Sequence, residues 1–239
     1  KMSDYKKDLL DNLIESKSLK IAQNENQLFT FKSGRVSPNF INTGSLIQGK
    51  SVSILKKALG NFIASLLKEG KLEDFDFIFG PAYKGINLAC LACEGLYELH
   101  GINKRYLYDR KEEKAYGDVK SDKIIVGGSF FQSGQKILMI DDVITTGGTK
   151  FEAIEKLNVL GEHKIIGLVL VADRQEKMGD AENIEKMSAV EHLEQKYGIK
   201  AFAILTMEEI FSMVKDKISE PIKNLWIEYF EKYGVIKLK

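Results

Sequence analysis

The sequence has only two cysteines and three prolines among its 239 residues. Two cysteines cannot build the disulfide framework of a small secreted fold, and three prolines leave no Pro-rich linker. No apolar run is long enough to cross a bilayer, and the sequence shows no signal-peptide pattern. These absences lead us to expect a cytoplasmic protein with no membrane partner.

Neither positive nor negative charge is in excess, because 35 lysines and arginines are matched by 34 aspartates and glutamates. The net charge is +1. No strong overall field favours nucleic acid, and we expect none as a partner. Since 44% of the residues are hydrophobic, the chain can bury one sizeable core, and no internal repeat divides it.

The spacing of apolar residues predicts mixed α/β structure. Residues 4–19 and 51–69 have the periodicity of amphipathic helices, and from residue 75 onward strands and helices alternate. Continuous apolar strands such as 136–140 and 165–172 are typical of a parallel sheet covered on both faces. In such sheets ligands bind beyond the carboxyl ends of the strands.

Helix starts are indicated by a second local pattern. Thr149, Ser188 and Thr206 are each followed three residues later by a glutamate, which is the spacing of a capping box.

The stretch KILMIDDVITTGGTK (136–150) carries the clearest functional signal. An apolar strand runs into Asp141 and Asp142, and a Thr/Gly-rich loop then leads into a helix. Glycines let backbone N–H groups approach an anion, and the helix N-terminus adds partial positive charge. Two carboxylates would repel a bare phosphate, but they can accept hydrogen bonds from sugar hydroxyls and help to place Mg²⁺. The pattern therefore indicates a site for a phosphorylated sugar.

This stretch resembles the phosphoribosyl-diphosphate (PRPP) motif of type I phosphoribosyltransferases. Three further stretches, FTFKSGRVSPNFIN (29–42), GPAYKG (80–85) and DRKEEKAYGD (109–118), resemble the matching segments of orotate phosphoribosyltransferases in the same order. The resemblance covers about residues 5–210. It implies transfer of the phosphoribosyl group from PRPP to N1 of orotate, which gives orotidine 5′-monophosphate and pyrophosphate in pyrimidine biosynthesis.

The family's fold implies a doubly wound α/β core around a parallel sheet with a small N-terminal cap. We expect one domain, 1–239, in which about 1–45 contribute the cap over the base site. About 46–210 should form the core, and about 207–239 the C-terminal helices.

The resemblance also assigns contacts with PRPP. Tyr83 and Lys84 are expected near the pyrophosphate, and a lid loop (109–123) contributes Arg110, Lys111, Lys114 and Tyr116. Asp141 and Asp142 are expected to bind the ribose hydroxyls. The residues expected around the 5-phosphate are Val143, Ile144, Thr145, Thr146, Gly147, Gly148 and Thr149. Catalytic roles are expected for Lys84, Lys114, Asp141 and Asp142. Mg²⁺ is expected to bind mainly through PRPP, near the two aspartates. The lid is expected to complete the neighbouring subunit's site, which implies a homodimer.

Orotate is a planar anion that carries a carboxylate, so its site should offer a cation, backbone amides and an apolar wall. By the resemblance, its contacts are Lys32, Phe40, Ile41, Thr145 and Arg174. Arg174 follows the predicted strand 165–172, and its guanidinium suits bidentate pairing with a carboxylate.

Two other functions share part of this pattern. A purine or uracil phosphoribosyltransferase would have the same PRPP loop but would not need Lys32 and Arg174. A non-catalytic, PRPP-sensing regulator of nucleic acid would be expected to have a basic patch or a DNA-binding appendage, and ideally a degraded lid. The neutral overall charge and the presence of Arg110, Lys111 and Lys114 disfavour the regulator.

Two remaining patterns favour packing over chemistry. Cys90 and Cys93 have the spacing of a metal or redox pair, but they lie in an apolar helical stretch without a second pair, which predicts burial. The apolar positions of 225–230 have helical spacing and predict a core or dimer face.

Overall fold

The computed structural model describes residues 3–113, 115, 120–144 and 148–239. Its helices are α1 (Asp4–Glu15), α2 (Gly49–Lys68), α3 (Lys84–His100), α4 (Lys120–Ile124), α5 (Gly148–Lys156), α6 (Ala189–Tyr197), α7 (Met207–Val214) and α8 (Glu220–Tyr233). Its strands are β1 (Leu19–Ile21), β2 (Phe29–Thr30), β3 (Val36–Ser37), β4 (Asn39–Ile41), β5 (Phe77–Phe79), β6 (Arg105–Asp109), β7 (Ile125–Val126), β8 (Lys136–Val143), β9 (Lys164–Asp173), β10 (Lys177–Gly179), β11 (Ile184–Ser188) and β12 (Ala201–Thr206).

The central sheet has the strand order β12-β9-β8-β5-β6-β7. Its neighbouring strands are parallel, except that β7 runs antiparallel to β6. The carboxyl ends of β5, β6, β8 and β9 therefore meet at one edge of the sheet, where the strand-following residues come together.

Alternate residues of each strand pack on opposite faces of this sheet. Leu138, Ile140 and Val169 belong to one buried cluster, together with apolar residues of α1, α2, α3, α7 and α8. Met139 and Leu170 belong to a second cluster, which includes residues of α5 and α6. Both faces are therefore covered, as the continuous apolar strands predicted.

The residues before α2 form two small antiparallel strand pairs, β1 with β4 and β2 with β3. They bring together three aromatic rings. The centroid of Phe40 lies 6.0 Å from that of Phe29 and 6.2 Å from that of Phe31. This cluster gives the N-terminal segment an apolar wall at the sheet edge.

Several boundaries differ from the prediction. The first helix ends at Glu15, and Lys17 follows with a left-handed φ of 58°, which stops the helix before residue 19. Capping boxes are confirmed at Ser188 and Thr206. The third predicted cap is misplaced, because α5 begins at Gly148 and Thr149 lies inside its first turn.

The predicted burial of both cysteines is wrong for Cys90, which is exposed on α3, whereas Cys93 is partly buried. Burial, followed by the proximity of Cys90, raises the pKa of Cys93 to about 12. Within the described residues no group of three or more His, Cys, Asp and Glu side chains could hold a metal ion. The apolar stripe of α8 is core, with Trp226 and Phe230 buried.

No helix in the described ranges combines the length and apolar character needed to cross a membrane.

Candidate active site

A cleft of about 740 Å³ opens between the carboxyl edge of the sheet and the N-terminal strands. The predicted site residues that line it are Lys32, Phe40, Ile41, Tyr83, Lys84, Asp141, Asp142, Val143, Ile144 and Arg174. The cleft brings together residues as distant along the chain as Lys32 and Arg174. The N-terminal segment also contacts the hairpin β10–β11, since the Arg35 guanidinium donates to the Lys177 carbonyl at 2.7 Å.

Asp141 and Asp142 lie near the carboxyl end of strand β8, and both side chains are buried. One carboxylate oxygen of Asp142, Oδ2, accepts hydrogen bonds from Thr43 Oγ1 at 2.8 Å and from Lys84 Nζ at 3.2 Å. The Asp142 N–H donates to Asp141 Oδ1 at 2.8 Å. The pair is therefore held in place by the strand, the N-terminal segment and α3 together.

The surroundings of Asp142 keep it ionised. Burial by itself would raise the pKa of this carboxyl, but hydrogen bonds from the Val143 N–H and the Thr43 hydroxyl, with the Lys84 charge, lower the pKa overall. A charged carboxylate at neutral pH is a strong acceptor for hydroxyl groups of a bound sugar.

The loop between β5 and α3 presents a cation to the cleft. A Cβ on Gly80 would collide with the carbonyl of Gly85, so the tight turn requires glycine there. Tyr83 is 73% exposed, and Lys84 starts α3 with its side chain 54% exposed. Lys84 Nζ also donates to Asn42 Oδ1 at 3.0 Å, which links the loop to the N-terminal segment.

Asp109, at the end of β6, connects three parts of the site. Its side chain is only 3% exposed. Oδ1 accepts from the Ala82 N–H at 2.6 Å, and Oδ2 accepts from Lys156 Nζ at 2.8 Å. Lys156 also donates to the carbonyl of Arg110 at 2.8 Å. The 80–85 loop, the start of segment 109–123 and helix α5 are joined through this one carboxylate.

Replacing Asp109 by alanine is expected to lower the free energy of unfolding by about 2 kcal/mol, because the Ala82 N–H and the Lys156 charge lose their shared acceptor. The loss should fall below that of a fully buried pair, since the Lys156 side chain is 30% exposed. Urea denaturation measures it. Asp74→Ala is the matched control, because the Asp74 side chain is 82% exposed in its pair with Lys104. Equal losses in both variants would contradict the prediction.

The described part of segment 109–123 approaches the 80–85 loop through Lys111. The backbone N–H of Arg110 donates to the Ile124 carbonyl at 2.8 Å, and its side-chain Nε donates to the Asp122 carbonyl at 3.2 Å. Lys111 Nζ lies 6.0 Å from the centroid of the Tyr83 ring.

The remaining predicted residues fall outside what the structure describes. These are Lys114, Tyr116, Thr145, Thr146 and Gly147. Gly148 and Thr149 open α5, although their side chains are not described. The roles assigned to these residues stay predictions.

Arg174 lines the cleft and packs on an aromatic ring. Its guanidinium lies 4.3 Å from the centroid of the Phe31 ring, and Nη2 is 2.6 Å from Glu176 Oε2. Its side chain is 14% exposed. Lys32 is exposed and lines the same cleft, as does Phe40. The arrangement offers two cations and an aromatic surface to a planar anion.

Sequence reasoning missed the partners of these groups. Thr43 donates a hydrogen bond to Asp142, and Asn42 accepts one from Lys84. Glu176 forms an ion pair with Arg174, and Asp109 accepts a hydrogen bond from the 80–85 loop. The clearest available signal was Glu176, which follows Arg174 in the string ADRQE. A single Thr or Asn in a polar loop carries no comparable signal.

Comparison with known proteins places this cleft in a family. Residues 51–205 match the model of the phosphoribosyl transferase domain. The chain is 36% identical to an orotate phosphoribosyltransferase from Agathobacter rectalis, over 98% of this chain and 99% of the relative. It is 38% identical to one from Kluyveromyces lactis, over 98% and 97%.

The fold comparison agrees. A crystal structure of orotate phosphoribosyltransferase from Francisella tularensis has a TM-score of 0.74 and 30% sequence identity, and covers 94% of this chain and 98% of its own. With a cleft that joins a buried acidic pair to an arginine-lined pocket, and with full-length relatives of this kind, the chain belongs to the orotate phosphoribosyltransferase family.

Proposed function

We propose that the cleft transfers the phosphoribosyl group of PRPP to N1 of orotate, releasing pyrophosphate and forming orotidine 5′-monophosphate for pyrimidine nucleotide synthesis. The observation that supports this proposal most is that the Asp141–Asp142 pair shares one cleft with Lys32 and Arg174. The acidic pair suits a ribose, and the two cations suit the carboxylate of orotate.

In the proposed reaction the C1–pyrophosphate bond weakens first, and N1 of orotate attacks the opposite face of the ribose. The transition state then resembles a ribosyl oxocarbenium ion. No protein nucleophile is needed, because positioning and charge stabilisation supply the catalysis. Asp141 and Asp142 would hold the ribose hydroxyls, while Lys84 and Lys114 would face the departing pyrophosphate.

Mg²⁺ fits this arrangement as an ion carried mainly by PRPP. Mg²⁺ commonly binds through one or two carboxylates together with substrate phosphates, and the described residues offer the Asp141–Asp142 pair without a third His, Cys, Asp or Glu side chain grouped with it. When bound, it would neutralise charge on the pyrophosphate. Around the 5-phosphate, residues 143–149 would supply backbone and hydroxyl donors.

We also propose a single domain, in which residues 1–45 cap the base site and the helices after residue 207 complete the core. The proposed quaternary state is a homodimer whose lid loop, 109–123, completes the neighbouring site. Exposed aromatic side chains support an interface: Tyr97 is 63%, Tyr106 39% and Phe130 64% exposed. Tyr106 and Phe130 also line one surface depression together with Tyr108 and Val126, and a contiguous exposed apolar patch often marks a protein contact.

The test of the reaction is pyrophosphate release from PRPP and Mg²⁺ with orotate, uracil, hypoxanthine, guanine and adenine offered separately. The proposal expects turnover with orotate alone. Turnover with another base only would overturn the base pocket and keep the PRPP site. PRPP binding without any turnover would favour a PRPP-sensing regulator.

Arg174→Lys is expected to raise KM for orotate by about 50-fold, with KM for PRPP nearly unchanged, because an ammonium cannot form the bidentate pair or stack on Phe31 as a guanidinium does. Steady-state kinetics with each substrate varied in turn measures both constants. Arg105→Lys is the matched control, since Arg105 lies over the Phe130 ring at 5.7 Å, away from this cleft. A parallel rise in KM for PRPP would count against the assignment.

A further inference from the structure

The C-terminal helix α8 ends beside the base side of the cleft. Its inner face is buried at Trp226, Tyr229, Phe230 and Tyr233. Trp226 packs edge-on against the ring of Phe211 in α7 at 5.3 Å, which fixes the helix to the body of the protein. Burial of Phe230 and Tyr233 anchors the last turn of α8 to the body of the protein as well.

One such contact is made with Arg35, which is only 4% exposed. Its guanidinium lies 4.5 Å from the centroid of the Tyr233 ring. The same guanidinium donates to the carbonyls of Lys177 at 2.7 Å, Met178 at 3.1 Å and Asp180 at 3.3 Å. A buried arginine with three carbonyl acceptors and an aromatic face is strongly held.

Arg35 closes the turn that carries Lys32, because its carbonyl accepts from the Phe31 N–H at 2.9 Å. The same turn is fixed at Ala181, whose N–H donates to the Ser33 carbonyl at 3.0 Å. The Tyr233 hydroxyl donates to the Ala181 carbonyl at 3.3 Å. Tyr233 thus supports the Lys32 turn at two points.

The residues that follow α8 hold the loop of Arg174. The Val235 N–H donates to the Gln175 carbonyl at 2.9 Å, and Gly234 forms an antiparallel bridge with Glu176. Glu176 in turn pairs with Arg174.

A second tyrosine of α8 lies beside this ion pair. Tyr229 is 6% exposed, and its hydroxyl faces the carboxylate of Glu176. Burial, and then the nearby carboxylate of Glu176, raises the pKa of Tyr229. The hydroxyl stays neutral at the back of the Arg174–Glu176 pair.

We propose that the segment Tyr229–Val235, which we call the C-terminal brace, sets the position of both cations of the base pocket and so determines the affinity for the base carboxylate. Tyr233 positions Lys32 through Arg35, and residues 234–235 position Arg174 through its loop. These are positioning residues, since the brace does not line the cleft. The inference rests on the proposed function, in which Lys32 and Arg174 bind orotate.

The test compares Tyr233→Leu with Tyr233→Phe. The leucine variant loses the aromatic face for Arg35, so KM for orotate should rise about tenfold while KM for PRPP and kcat stay within about threefold. The phenylalanine variant keeps the ring and should restore KM for orotate to within about threefold of wild type. A leucine variant with unchanged KM for orotate, or with an equal rise in both KM values, would overturn the proposal.

Circular dichroism and titration calorimetry with PRPP alone show whether each variant is folded with an intact PRPP site. If Tyr233→Leu does not fold, Arg35→Lys replaces it, because lysine cannot donate to three carbonyls at once, and the same selective rise in KM for orotate is expected. An Arg35→Lys variant with wild-type KM for orotate would also overturn the proposal. Failure of the wild type to use orotate would instead overturn the proposed function, so the two failures are distinguishable.

Discussion

Asp142→Asn is expected to lower kcat/KM for PRPP by about 100-fold, because a neutral amide loses charge-assisted hydrogen bonds to the ribose hydroxyls. The change is nearly isosteric, so the loss should come from charge and hydrogen bonding and leave the packing of β8 intact. Asp142 is well suited to this role because its environment already keeps the carboxylate ionised.

The partners of Asp142 increase the expected effect. Lys84 and Thr43 both donate to the same oxygen, Oδ2. An asparagine can offer one carbonyl oxygen to these donors, but its other terminal group is an NH₂ donor that cannot accept from a sugar hydroxyl. Lys84 would also lose its ion pair with the Asp142 carboxylate, which holds the lysine side chain in the cleft.

Initial rates at varied PRPP, with orotate saturating, measure the effect of Asp142→Asn. Asp74→Asn is the control, because it removes the same charge from an exposed side chain remote from the cleft and should change kcat/KM by less than about twofold. If Asp142→Asn and Asp74→Asn behaved alike, the ribose-binding role of Asp142 would be wrong.

The parts of this site that could be predicted from sequence are those encoded within a short stretch. Asp141 and Asp142 follow an unbroken apolar run, so the strand and its polar end are visible in one window of residues. The capping boxes at Ser188 and Thr206 are also local, since both partners lie three residues apart.

The contacts that position these groups could not be predicted, because they depend on tertiary packing. Thr43 and Asp142 are 99 residues apart in sequence, and Asp109 and Lys156 are 47 apart. Nothing in the local sequence of Thr43 distinguishes it from other threonines in polar loops. Likewise, the short hairpin β10–β11 lacks a long apolar run and was not predicted, although its carbonyls hold Arg35.

Lys114→Ala is expected to lower kcat by about 100-fold or more, with smaller changes in either KM, because a lid cation acts mainly on the charge that develops on the departing pyrophosphate. Lys114 lies outside the described residues, but Lys111, three residues earlier, has its Nζ 6.0 Å from the centroid of the Tyr83 ring. Lys123→Ala is the control, since Lys123 belongs to the same segment but lies in α4. A Lys114→Ala rate within a few-fold of wild type would refute this role.

Mixing two inactive variants tests which subunit supplies Lys114. If the lid completes the neighbouring site, a mixed dimer of Lys114→Ala and Asp142→Asn chains contains one site with both residues intact. Random pairing at equal amounts then restores about a quarter of the wild-type activity, because half of the dimers are mixed and each has one working site. If each lid closes over its own chain, every site lacks either Lys114 or Asp142, and mixing restores nothing. Subunits mixed under dissociating conditions and then re-associated would separate these outcomes, with re-associated wild type giving the full rate.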